Sequence, residues 1–376
     1  MKCIKNGRIV MPDRIVDGAI LMFDEKISGL VSEIRNCTEI IDAKGNYVCP
    51  GLIDMHIHGY MGADASDADA DGIKKIAYGI AKNGVTSFLP TTMTVSYEEL
   101  EKAFDTIREQ KEESRSWQGA EILGTNAEGP FINPKKKGAQ NGAHVKTPDA
   151  DFILKNADII RAVTVAPEMD KDHAAIKKIK ESSDILISMG HTEASFFEAM
   201  SAVSDGVAHA THLFNAMTPL MHRDPGVVGA SLASDVSVEL ICDTFHIHPG
   251  VFSIIAKQKG DKLCLITDCI RAGGMPDGEY DLGGLPVTLK GIECRLDDGT
   301  IAGSVLTLNR AVKNLMDNTD LPIWEAVNTA SLNVARVIGE KSKGALLYGY
   351  DADIIIADKD MNILRTIKGG NTIYEA

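Results

Sequence analysis

At 376 residues the chain exceeds one ordinary domain, whereas a barrel of roughly 250 residues with a smaller appendage would use all of it. Hydrophobic residues at 44% and charged residues at 24% exclude a disordered or membrane-embedded chain. A net charge of −14 excludes a nucleic-acid partner, which calls for a basic face, so an anionic ligand has to be met locally.

The amino-terminal segment Met1-Lys2-Cys3-Ile4-Lys5-Asn6-Gly7 is too polar for a signal sequence, and no stretch approaches the ~20 apolar residues of a membrane span. The seven cysteines are odd in number and lack CxxC spacing, which argues against a disulfide framework or a thiolate zinc site and for the reducing cytoplasm. Short β-like runs broken by Gly, Asp and Asn occupy residues 1–50: Ile9-Val10, Ala19 to Phe23, Ile40-Ile41 and Tyr47-Val48. They predict a small β domain.

From Leu52 the texture changes to apolar strands alternating with helical stretches. Eight strands are predicted: Leu52–Met55, Thr86–Leu89, Ile122–Gly124, Ala162–Val165, Leu186–Met189, Gly206–Ala208, Val238–Ile241 and Leu263–Ile266. Helices are predicted between most of them, over Ala70–Asn83, Tyr97–Glu113, His173–Glu181 and Ser195–Ser204, with a later one over Ile323–Ile338. Eight βα units point to a closed (β/α)8 barrel in the α/β class. Ala352–Ala357 and Asn362–Leu364 return to β texture, so the carboxyl end is expected to rejoin the amino-terminal strands. No repeat or low-complexity segment interrupts this plan.

Polar residues able to bind metal recur just after these strands, where a barrel places its site. His56 and His58 lie two apart, so an extended backbone turns both to one face. Glu128 follows the third strand, His191 the fifth, His209 and His212 the sixth, and Asp268 the eighth. A lone histidine at a strand end is more often a hydrogen-bonded structural residue, but five sets at five strand ends read together as a hydrolytic metal centre. Imidazole and carboxylate suit Zn²⁺, Fe²⁺ or Mn²⁺ with a position left for water. His173, in a Lys-rich helix, and His209, offset from its strand end, are expected to be structural, and the Lys135-Lys136-Lys137 run a solvated loop.

Pro50-Gly51-Leu52-Ile53-Asp54-Met55-His56-Ile57-His58-Gly59, Glu128-Gly129-Pro130, His191-Thr192, His212-Leu213-Phe214-Asn215-Ala216-Met217, Thr267-Asp268 and Ala302-Gly303-Ser304 together resemble the N-acetylglucosamine-6-phosphate deacetylase family of the amidohydrolase superfamily. The likeness runs over nearly the whole chain. It implies a barrel over residues 51–344 and a small β-sandwich made from both chain ends, 1–50 and 345–376. It implies hydrolysis of N-acetylglucosamine 6-phosphate in amino-sugar catabolism and recycling, with Glu128, His191 and His212 holding a principal metal, Zn²⁺ or Fe²⁺. A second ion on His56, His58 and Asp268 fits this chain, which keeps both histidines where some members have Gln and Asn. Asp268 is the implied catalytic base and then acid.

Ala139, Gln140, Asn215, Ala216, His246, Ile301, Ala302 and Gly303 are the implied substrate contacts, with Arg223 reaching a sugar phosphate across a homodimer interface. Gln140 stands where many members have a histidine that polarises the carbonyl, and His144 nearby is either its substitute or a surface residue. The competing readings are a deacetylase of another amino sugar, a dihydroorotase-like or hydantoinase-like cyclic amidase, and a non-catalytic barrel scaffold.

Overall fold

The computed structural model describes residues 1–34 and 37–376. Eight parallel strand positions carry the molecule: β1 (Leu52–Ile57), β2 (Val85–Thr92), β3 (Thr125–Glu128), β4 (Ile160–Val165), β5 (Leu186–Met189), β6 (His209–Ala210), β7 (Ser237–Ile241) and β8 (Leu263–Ile266). Each pairs in parallel with the next. The ring is brought nearly to closure past the end of β8, where Asp268 N–H donates to His56 O and His58 N–H to Cys269 O, both at 2.9 Å. Every residue of β1, β2, β3, β7 and β8 is buried, as expected of strands covered on both sides.

The helices that cover the barrel start at chemically explicit caps. Ser96 and Glu99 form a capping box ahead of Tyr97–Ser114, and Ser195 and Glu198 do the same ahead of Phe196–Asp205. Asp69 caps Ala70–Ala81 by accepting from Asp71 N. No described helix is long and apolar enough to cross a membrane. Cys49, Cys242, Cys264, Cys269 and Cys294 are buried free thiols.

Three predicted elements differ. The third strand, expected over Ile122–Gly124, is split into Glu121–Ile122 and β3, because Gly124 adopts φ 150° and breaks the extended run. The sixth lies at His209–Ala210 rather than Gly206–Ala208, since Gly206 still caps the preceding helix with φ 140°. The helix expected over Ile323–Ile338 is two, Ile323–Asn328 and Leu332–Val337. At the break the hydroxyls of Thr329 and Ser331 bond back to Ala326 O and Val327 O, while the carbonyls of Thr329 and Ala330 accept from Leu265 N and Ile53 N of the barrel. Local side-chain bonds and the barrel floor thus compete with the helical ladder.

The chain ends build two further sheets. One is four-stranded, in the order Ile27–Val31, Ile20–Phe23, Lys2–Lys5, Glu39–Asp42. The other is six-stranded, in the order Asn371–Glu375, Ile363–Lys368, Ile354–Ala357, Tyr47–Pro50, Arg8–Val10, Ile15–Val16. Ile4, Leu21, Phe23, Val48, Ile354 and Ile356 belong to one buried cluster drawn from both sheets. A three-stranded antiparallel sheet, Gly278–Leu282, Leu285–Lys290 and Glu293–Arg295, follows the barrel and was not foreseen. Its own apolar cluster includes Ile270, Ala272, Leu282 and Val287, which ties it to the loop beyond β8.

Candidate metal centre and substrate cavity

At the carboxyl ends of the strands, six side chains foreseen from the sequence meet in two groups: Glu128, His191 and His212, and His56, His58 and Asp268. All six are buried, and within each group the ligating atoms lie within 4.8 Å of one another. Glu128 faces both groups. Its Oε1 is 3.2 Å from His191 Nε2 and 2.9 Å from His212 Nε2, and its Oε2 is 3.2 Å from His58 Nε2. Asp268 Oδ1 is 3.4 Å from His56 Nε2 and 3.2 Å from His58 Nε2.

The backbone beneath these side chains is strained. His191 (φ 48°), His212 (φ 29°) and Asp268 (φ 49°) all adopt the left-handed region, which a non-glycine residue rarely enters. Such strain persists only where the surrounding structure over-determines it, and it gathers at functional sites. Beside Glu128, Gly129 takes φ 95°, and a Cβ there would run into the Thr94 hydroxyl. Only glycine turns the chain away at that point.

Second nitrogens settle which ring atom is free. His58 Nδ1 donates to Thr91 O (3.1 Å), His191 Nδ1 to Lys136 O (2.7 Å) and His56 Nδ1 to Glu239 Oε2 (2.9 Å). In the neutral rings of these three residues the Nε2 lone pairs therefore point at one another and at carboxylate oxygens, with His56 Nε2 only 3.4 Å from His58 Nε2 and His191 Nε2 3.2 Å from Glu128 Oε1. Bare lone pairs and carboxylates packed this closely repel unless positive charge lies among them. Burial disfavours a charged His56, yet Glu239, Glu128 and Asp268 outweigh it and raise its pKa to about 9. His58 is raised for like reasons: burial works against it, and Asp268 and Glu128 prevail. Burial pushes Glu128 up, but His56 and His191 hold it well below the usual carboxylate range. A donor set of imidazole nitrogens and carboxylate oxygens that calls for a cation fits one or two divalent metal ions.

The centre forms the floor of an open cavity of about 370 Å³. Of the predicted contacts, Ala139, Gln140, Asn215, Ala216, His246, Ile301 and Gly303 line it. Ala302 is fully buried beneath the wall, in the apolar cluster of the three-stranded sheet. Gln140 Nε2 donates to Glu128 Oε2 (2.5 Å), and its Oε1 accepts from Thr94 N (2.7 Å). His246 is tied by Nδ1 to Asp243 Oδ2 at 2.6 Å. His144 sits in a short 3-10 turn and does not line the cavity. Arg223 is exposed on the loop before Gly226–Ala233, 2.7 Å from His222 Nε2, and does not reach the cavity of its own chain.

His173 pairs with Asp205, and His209 is buried against Ser237, so neither joins the cluster. The lysine run is not wholly a solvated loop: Lys135 is exposed and paired with Glu193, yet Lys135 and Lys136 edge the cavity. Sequence reasoning missed Glu239, although an acidic residue inside the apolar run Val238-Glu239-Leu240-Ile241 was a signal. It missed Met93, Ile270 and Leu282 as well, apolar wall residues that carry no local signal.

A nearly closed parallel barrel with clustered imidazoles and carboxylates at the carboxyl ends of its strands defines a metal-dependent hydrolase. Residues 47–373 match the model of the amidohydrolase family. The N-acetylglucosamine-6-phosphate deacetylase of Bacillus subtilis is 38% identical over 383 residues, spanning 99% of this chain and 96% of that protein. The crystal structure of N-acetylglucosamine-6-phosphate deacetylase from Pasteurella multocida superposes with a TM-score of 0.94 at 29% identity, covering both chains fully. An aspartate-to-alanine mutant of the Mycobacterium smegmatis deacetylase, in complex with N-acetyl-D-glucosamine-6-phosphate, superposes with a TM-score of 0.89 at 27% identity over 99% of this chain and 98% of that one. The chain belongs to the amidohydrolase family and, within it, to the N-acetylglucosamine-6-phosphate deacetylases.

Proposed function

We propose that this chain hydrolyses N-acetyl-D-glucosamine 6-phosphate to D-glucosamine 6-phosphate and acetate, in amino-sugar catabolism and recycling. The observation that carries the reading is the convergence of Glu128, His191 and His212 with His56, His58 and Asp268 on the floor of a sugar-sized cavity. Glu128, His191 and His212 would hold the principal ion, Zn²⁺ or Fe²⁺, and His56, His58 and Asp268 a second. A divalent cation held there supplies Lewis acidity toward the acetyl carbonyl and makes nearby water more acidic.

Asp268 carries the proton. Burial alone would raise its carboxyl, but His56 and His58 keep it below the usual carboxylate value, so it is ionised and able to accept. It takes the proton of the attacking water and passes it to the departing sugar nitrogen as the tetrahedral intermediate collapses. Gln140 spends one amide hydrogen on Glu128 and has a second to offer the developing oxyanion. With Nδ1 bound to Asp243, His246 presents Nε2 to the sugar, and Asn215, Ala216 and the Ile301–Gly303 loop, with Ala139, shape its pocket.

Arg223 belongs to the neighbouring site: its planar fork suits a phosphate monoester, and it lies beside exposed Leu220 and Met221, apolar surface that a homodimer would cover. Lys135 and Lys136 at the mouth add local positive charge to an acidic chain. The two end sheets, residues 1–50 and 345–376, form a β-sandwich domain on the barrel of residues 51–344, supported by their shared apolar cluster. Buried free thiols suit the reducing cytoplasm.

Acetate release measured with N-acetylglucosamine 6-phosphate, its unphosphorylated sugar and its C4 epimer tests the substrate, beside ring opening of dihydroorotate. The phosphorylated glucosamine derivative is expected to have the highest kcat/KM. Faster turnover of the epimer or of dihydroorotate would replace this reading with that substrate.

A further inference from the structure

Glu239 stands out among the buried groups that the reaction does not use. It sits in the middle of β7 with 1% exposure, a carboxylate between Val238 and Leu240. Its Oε2 accepts from His56 Nδ1 and from the His212 backbone N–H, both at 2.9 Å. His209 Nε2 lies 3.3 Å from Oε1, near enough for an ion pair though not aligned as a hydrogen bond, and its Nδ1 meets Ser237 Oγ at 2.6 Å. One oxygen thus touches the ring of one group and the backbone of the other.

The four clustered histidines are supported unequally. His58 and His191 rest on backbone carbonyls, which secondary structure keeps in place whatever the neighbouring side chain. His212 Nδ1 has no partner among the described residues. His56 alone depends on a side chain, and that side chain is a carboxylate, the partner that both fixes the tautomer and makes Nε2 a stronger donor. Losing it would free the ring to turn or to move its proton to Nε2, where it would meet His58 Nε2 at 3.4 Å.

We propose that Glu239 is the positioning residue of the His56–His58–Asp268 group, and that this group takes up a second divalent cation tightly only while the Glu239 carboxylate holds the His56 ring. This rests on the reading above in which Glu128, His191 and His212 hold the principal ion. The arrangement is a run of polar contacts from Ser237 through His209 and Glu239 to His56, hydrogen-bonded at its two ends and bridged by the 3.3 Å His209–Glu239 approach, built wholly from β6, β7 and β1.

Zinc titration of the metal-stripped full chain, with elemental analysis of the bound metal, tests it. The wild type is expected to take two ions. Glu239→Met, similar in length but without the carboxylate oxygens, is expected to keep the first and weaken the second about 10- to 100-fold. Glu239→Gln, which keeps an acceptor oxygen and loses the charge, should fall between them, a grading that a purely space-filling role would not produce. It also carries the test if the Met variant does not fold. In a His56→Gln background, adding Glu239→Met should cost the second ion nothing more. Binding of the second zinc by both Glu239 variants within about threefold of wild type would overturn the proposal, since outer-shell partners normally matter more than that. So would a single ion in both wild type and His56→Gln, which leaves the principal site intact. A wild type that binds no zinc, iron or manganese would overturn the metal centre itself.

Discussion

Asp268 shows how much one position concentrates. It lies just past β8, brings the barrel towards closure through its N–H to His56 O, adopts a left-handed backbone, and presents Oδ1 to His56 at the end of β1 and to His58 just beyond it. Asp268→Asn keeps the size and the backbone bond and removes the carboxylate charge, and with it the proton acceptor. Turnover is expected to fall by about 10²- to 10⁴-fold, the usual worth of a positioned acid–base group, while the metal proposed for Glu128, His191 and His212 remains. Acetate release with parallel metal analysis checks this, and a tenth of wild-type turnover would defeat the assignment. Asp268 was recognisable in the sequence because it follows an apolar strand. Its grouping with His56 and His58, 210 or more positions away, came only from the family resemblance, since a contact at that separation leaves no local pattern.

At the scale of elements, the join between barrel and end sheets depends on Lys343. Its side chain is 6% exposed, and its ammonium lies 2.9 Å from Glu121, 3.3 Å from Asp351 and 2.8 Å from Asp353. Burial penalises the charge, but Asp353 and Glu121 outweigh it and raise the Lys343 pKa. Removing one partner of such a buried cluster strands the others, so Lys343→Met should cost about 3–5 kcal/mol in denaturant unfolding. The pH dependence follows from the signs. Burial pushes Asp351 up, but Lys26 and Lys343 lower it from 3.8, so its share of stability is full above pH 3.8 and is lost as pH falls through its folded value. Lys343 is raised above 10.5, so its share is full below pH 10.5 and is lost only in stronger alkali. The gap in melting temperature between wild type and Lys343→Met should therefore be flat across neutral pH and shrink in acid below about pH 4. A gap unchanged at pH 3 would count against the cluster.

On the scale of the whole molecule, Arg223 has no role in its own cavity, and the reading places it in the partner's. Arg223→Ala should then raise KM for the phosphorylated sugar roughly 10- to 100-fold, the worth of a charge-assisted phosphate contact, with a smaller change in kcat. Coexpressing Arg223→Ala and Asp268→Asn chains gives a sharper check. In a mixed dimer the Arg223→Ala chain keeps its Asp268 and receives an intact Arg223, so one site per dimer regains low KM. No recovery on mixing, with mixed dimers demonstrated, would return Arg223 to the surface.

Periodicity and strand-end chemistry sufficed to read the barrel and to nominate Glu128, His56, His58, His191, His212 and Asp268, because strand burial and the position of a barrel's site are local properties of a repeated βα unit. They did not find Glu239 or foresee the sheet of residues 278–295 that supplies Leu282 to the cavity. Those depend on which side chains from distant strands share one buried volume. Tertiary structure alone decided that the six ligating groups meet around Glu128, since repulsion among buried lone pairs and carboxylates exists only once the ring of strands has brought them together.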